Sequence, residues 1–145
     1  MLVLGDKYRF LDHTADVLFE AFGSTYEETL SHAALALFST IAHVDDLQES
    51  HRFEVRAEAE SLEELTNFVL SDVLSESDSS ELFFKSFHVR QFQKTEHGFR
   101  LVGEARGEPY SPEKGEMHVK AVTHHQTLVE HQANGRWRIR ILLDI

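Results

Sequence analysis

From His51 to Glu60 the chain reads HRFEVRAEAE, in which Phe53, Val55, Ala57 and Ala59 alternate with Glu54, Arg56, Glu58 and Glu60. A period of two sends successive side chains to opposite faces of a strand, so this stretch must lie with one face on a core and the other in water. The same pattern closes the sequence. In RWRIRILLDI, Trp137, Ile139, Ile141 and Leu143 alternate with Arg136, Arg138, Arg140 and Leu142. Between these two stretches, LFFKSFHVRQF turns at Glu96-His97-Gly98 and returns as FRLVGEAR, the pattern of a hairpin. HVKAVTH and TLVEHQ then lead to Asn134-Gly135, the favoured pair for a two-residue turn.

Two stretches carry the helical period instead. Ser24 and Thr25 each have a glutamate three residues on, Glu27 and Glu28, which is the capping-box pattern. Leu30, Ala33, Ala34, Leu37, Phe38 and Ile41 follow as one apolar stripe, which predicts a helix ending near Ile41. Ser61 with Glu64 starts a second, carrying Leu62, Leu65, Phe68, Val69 and Val73, which is expected to fade into a polar loop at SESDSSE. GEPYSPEKGE, with both prolines, reads as a surface loop. Two helices on a mostly antiparallel or mixed β-sheet make an α+β fold, and 145 residues without repeat or linker make a single domain over 1–145.

Composition narrows the function. A hydrophobic fraction of 41% with 11 Phe excludes a disordered chain. No apolar run approaches the roughly 20 residues that span a bilayer. MLVLGDKYRF lacks the basic region and length of a signal peptide, so a cytoplasmic protein is expected. The absence of cysteine removes disulfides and thiolate metal sites. With 25 acidic against 14 basic residues the net charge is −11, unsuited to gripping nucleic acid or an anionic membrane unaided. Basic proteins and metal cations are better partners.

LDHTAD, residues 11 to 16, sits between the strand-like runs YRF and VLFEAF, and aspartate is a poor strand former. Asp12 and Asp16, with Thr14, suit turn chemistry, in which side chains bond nearby amides. The alternative is a divalent-cation site. Asp144 and the α-carboxylate of Ile145 supply further oxygens, and hard cations take carboxylates with water completing the shell. The sequence alone does not say that the two ends meet. Other constellations carry less. His118, His124, His125 and His131 fit no zinc spacing. Arg136, Arg138 and Arg140 share a strand face that could meet a phosphate or an acidic partner, or simply be solvated. No Gly-rich phosphate loop, nucleophile elbow or ordered triad is present.

DHTADVLFEAFG, EETLSHAALALFSTI, VKAVTHHQTLVE and the ending WRIRILLDI together resemble the archease family, from end to end of the chain. The resemblance implies a non-enzymatic protein cofactor of the GTP-dependent tRNA-splicing RNA ligase, promoting guanylylation and multiple turnover. It implies a divalent metal, calcium first with magnesium or manganese as alternatives, held by Asp16, Asp144 and the main-chain carboxylate of Ile145. Asp12 takes a supporting role, and His13 orients Asp16 or packs beneath it. Two positions depart from the family pattern. His124 replaces a usual tyrosine, and Asn67 to Asp72 replace a Trp-Leu-Asn-Glu-type core. Rival readings are a metal-dependent phosphoester hydrolase using the same aspartates with His13 or His125 as base, and a chaperone or modulator of a tRNA-modifying methyltransferase.

Overall fold

The structure, a computed structural model, describes residues 7–13 and 15–145. Strand β1 (Tyr8–Leu11) and β2 (Val17–Gly23) precede helix α1 (Tyr26–Ile41). Strand β3 (His51–Ala59) leads into α2 (Leu62–Ser80), and the long strands β4 (Leu82–Thr95) and β5 (Gly98–Pro109) form the central hairpin. Two short strands, β6 (Ala121–Val122) and β7 (Leu128–His131), come before β8 (Trp137–Asp144). Every strand pairing is antiparallel, in two separate sheets among the described residues. One runs β1-β2-β8-β6 with β7 also on β8; the other runs β3-β5-β4.

Helix α1 packs on β2 and β8 of the first sheet and on β4 of the second, while α2 reaches β3 and β6. The helices thus tie the two sheets around one core. Its largest wholly enclosed side chains include Phe19, Tyr26, Leu37, Phe87 and Ile141. The Tyr26 hydroxyl shares a 2.8 Å hydrogen bond with Thr66 Oγ1, joining the helices inside that core. Burial pushes this phenol well above its usual pKa range, so it stays protonated.

Both helix starts follow their capping signals. Thr25 Oγ1 accepts from the Glu28 amide at 3.1 Å and Ser61 Oγ accepts from the Glu64 amide at 3.1 Å. The end of α2 differs from expectation. The helix continues through SESDSS, because Val73, Leu74 and Ser77 extend its buried stripe. Ser77 Oγ donates to the Leu82 carbonyl at 2.5 Å, so a polar residue fills a core position. Glu81 then ends the helix in the left-handed conformation at φ 53°, where glycine is more usual. The turn at Asn134-Gly135 also departs from the two-residue form. Gly135 N–H donates to the Gln132 carbonyl and Gln132 N–H to the Arg136 carbonyl. The result is a three-residue loop in which Gly135 takes φ +86°, a conformation that costs glycine little. Of GEPYSPEKGE, the first three residues belong to β5, and the remainder forms a loop with a 3-10 turn at Pro112–Lys114.

Candidate metal centre

The β2–β8 pairing brings the segment after LDHTAD beside the last strand. Register runs from Gly23 opposite Trp137 to Val17 opposite Leu143. The pairing stops there; Asp16 immediately precedes β2 and Asp144 closes β8, so both aspartates lie at the same end of this strand pair. Asp144 is also held from the other side: it pairs with Ala121, and its carbonyl accepts the Lys120 amide at 2.7 Å. The LDHTAD segment is the connection of the β1–β2 hairpin, whose register ends at Leu11 opposite Leu18. A strand is not interrupted there; two strands are joined.

Asp16, Asp144 and Ile145 are all half-buried, while Asp12 and His13 are exposed. Among the described residues, neither Asp16 nor Asp144 forms an ion pair, and no side-chain hydrogen bond joins Asp12 or His13 to Asp16. Thr14 lies outside the described residues. Two carboxylates at one end of a strand pair, with no cationic side chain within ion-pair distance among the described residues, leave room for a cation to offset their charge. The available donors are all oxygen, which suits a hard divalent ion with water completing its shell. No group of three or more His, Cys, Asp or Glu side chains is gathered among the described residues. A cation at this end would therefore need the main-chain carboxylate as well as the two aspartates. The four histidines considered for zinc form no such group either.

Four residues along the same two strands lies an acid in the opposite situation. Glu20 is fully buried, on the sheet face away from the helices. Arg9 donates to its Oε1 from Nε at 3.1 Å and Nη2 at 2.7 Å. Arg140 donates to Oε2 from Nε at 3.1 Å and Nη2 at 2.9 Å, and Arg138 Nη1 stands 3.4 Å away. Burial on its own would raise the Glu20 pKa. The Arg9 and Arg140 hydrogen bonds, with the charges of Arg138 and Arg140, outweigh it and hold the carboxyl below its ordinary 4.5. The acidic partner foreseen for the arginine face is thus inside the chain. Arg136 instead lies over the Phe22 ring, 4.0 Å from its centroid. Glu20 is a polar residue the sequence did not single out; its one signal was a charge amid the apolar VLFEAF.

Two antiparallel sheets tied by two helices, with an acid pair where the first hairpin meets the last strand, define a small α+β protein with a candidate cation site. A family model of the archease protein family (MTH1598/TM1083) matches residues 8–145, and the chain belongs to that family. The protein archease of Pyrococcus abyssi is 36% identical over 141 residues, 96% of this chain and 99% of its own length. That of Methanopyrus kandleri is 36% identical over 137 residues, 93% and 96% of the two chains. Among solved structures, protein 1598 of Methanobacterium thermoautotrophicum superposes with a TM-score of 0.82 at 27% identity, covering 96% of this chain and 99% of its own. An archease from Thermotoga maritima, described as a possible chaperone, gives 0.59 at 18% identity over 93% and 94% of the two chains, a likeness of fold alone. No described helix is long and apolar enough to cross a membrane.

Proposed function

We propose that this protein is a non-enzymatic cofactor of the GTP-dependent RNA ligase that joins 3′-phosphate or 2′,3′-cyclic phosphate ends to 5′-hydroxyl ends in tRNA splicing or RNA repair. The observation that supports the reading is the antiparallel pairing of β2 on β8, which ends at Val17 opposite Leu143 and so leaves Asp16 and Asp144 at one end of the pair, in a chain that belongs to the archease family. Asp16, Asp144 and the Ile145 main-chain carboxylate would hold a divalent ion, calcium first, and magnesium or manganese in its absence. When bound, that ion supplies positive charge for the phosphates handled in nucleotidyl transfer.

The chain's own residues do the rest. Pairing of Asp144 with Ala121 and the Lys120 amide fixes one ligand from the backbone, and the β1–β2 hairpin fixes Asp16. A net charge of −11 suits a basic RNA-binding ligase and repels the RNA itself. Asp12, exposed beside this end, adds negative potential without ligating.

RNA ligation with limiting cognate ligase, GTP and a divalent metal tests the proposal. The wild-type chain should give many products per ligase molecule, and Asp16→Ala or Asp144→Ala should return the yield to that of ligase alone. Asp12→Ala should reduce it less. Stimulation that survives both ligand substitutions would remove the site. Phosphoester hydrolysis by the protein without ligase would instead favour the hydrolase reading. Capture of a methyltransferase in place of the ligase would favour the modulator.

A further inference from the structure

Three adjoining cavities line one flank of the molecule, next to the Asp16 end. The first, about 270 Å³, is walled by Ile41, Leu74, Phe83, Tyr110, Met117 and Val119. The second, about 350 Å³, is walled by Phe10, Leu11, Val17, Leu18 and Met117, with Asp16 at its edge. The third, about 390 Å³, is more polar and includes Asp45 and Asp46. Glu116 lines all three, and Met117 lines the first two.

Two properties set this groove apart. Phe10, Tyr110 and Met117, three of the four large apolar side chains left exposed among the described residues, belong to it. Its acids are Asp16, Asp45, Asp46, Asp78 and Glu116, and no described Lys or Arg lines any of the three cavities. Among the described residues, the side chains within ion-pair distance of those acids are imidazoles, His43 at 2.7 Å from Glu116 and His118 at 3.9 Å from Asp78. The groove is also preformed. Glu116 and Met117 amides are directed at the Ile41 carbonyl, at 2.8 and 3.4 Å, and Val119 is buried, so the wall carrying Met117 is pinned from both sides. A preformed surface loses little entropy on binding.

We propose that this groove docks a basic, amphipathic segment of a partner protein, with its apolar side chains over Met117, Phe10 and Tyr110 and its Lys or Arg against the acidic rim. Charge complementarity selects this occupant. A second copy of the chain would bring acids onto acids, and phosphate-bearing polymers or anionic lipid meet the same repulsion. A flexible methionine beside aromatic rings adapts to varied apolar side chains. The proposal rests on the cofactor reading only for its partner, a segment of the ligase, and it is tested apart from that.

Isotope-labelled protein is titrated with an amphipathic Lys–Leu peptide, its Glu–Leu counterpart and a Lys–Ser peptide, and separately with purified cognate ligase without RNA. The Lys–Leu peptide should shift resonances of Phe10, Tyr110, Glu116 and Met117, and Met117→Ser or Glu116→Lys should weaken it by about tenfold or more. Asp144→Ala, which lies outside the groove lining, should leave peptide binding unchanged. Equal shifts with the Glu–Leu or Lys–Ser peptide, or shifts spread outside the groove, overturn the proposal. So does self-association that Met117→Ser abolishes, which would give the groove to a second copy. Ligase binding that both groove variants leave intact overturns the docking site while the cofactor reading stands. Absence of ligase binding to wild type sinks the cofactor reading and leaves the peptide result to decide the groove.

Discussion

The same two strands, β2 and β8, carry two acids in opposite circumstances. Glu20 is enclosed and surrounded by Arg9, Arg138 and Arg140, and its carboxyl sits below its ordinary pKa. Asp16, four residues earlier, is half-buried at the end of the pair where β8 finishes on Asp144, with no ion pair among the described residues. Sheet chemistry favours opposite charges across a pair and penalises like ones. The first acid obeys that rule, and the second has no cationic partner among the described residues. This strand pair neutralises its buried acid with arginine and leaves Asp16 and Asp144 without such partners, which is why the proposed cation site falls at that end.

The comparison can be broken first at its stable half. Glu20→Ala leaves three arginines crowded with no acid at their centre. It should destabilise the fold by about 3 kcal/mol, toward the lower end for a broken buried pair because the arginines are partly exposed; chemical denaturation measures it. The sign of the pH effect follows. A carboxyl whose folded pKa is lowered contributes fully above its ordinary 4.5 and loses that contribution as pH falls toward the folded value. Stability should therefore drop below about pH 4.5 in wild type, and less steeply in Glu20→Gln.

At the other half, calcium at about a hundredfold its dissociation constant should stabilise wild type by about 2.7 kcal/mol. Asp144→Asn should lose that shift. Asp144→Lys, which sets a cation at the end of the strand pair shared with Asp16, should raise metal-free stability by about 0.5 kcal/mol and abolish ligase stimulation. The smallest effect is metal-free Asp144→Asn, which should change stability by no more than a few tenths of a kcal/mol. Thermal unfolding with and without chelator reads all three.

How much of this was legible depended on range along the chain. Capping and periodicity are local, so α1, the start of α2, β3 and the central hairpin were readable from a few residues each. The end of α2 was not, because Ser77 occupies a core position by donating its hydroxyl to Leu82, and serine carries no apolar signal. Glu20 was invisible for a different reason. Its partner Arg140 is 120 positions away, and only the register of β2 on β8 joins them. Asp16 and Asp144 stood out as aspartates at strand edges, while their place at one end of the same strand pair needed that register. The acid-rimmed groove draws on α1, α2, β1 and the loop around Met117, a combination that no single window of sequence contains.

Calorimetric titration of calcium into chelator-treated wild type, Asp16→Asn and Asp144→Asn tests the central claim most directly. Saturable binding at a single site in wild type, lost in both variants, is the predicted result. Binding that both variants retain, or no binding of calcium, magnesium or manganese by wild type, would contradict it.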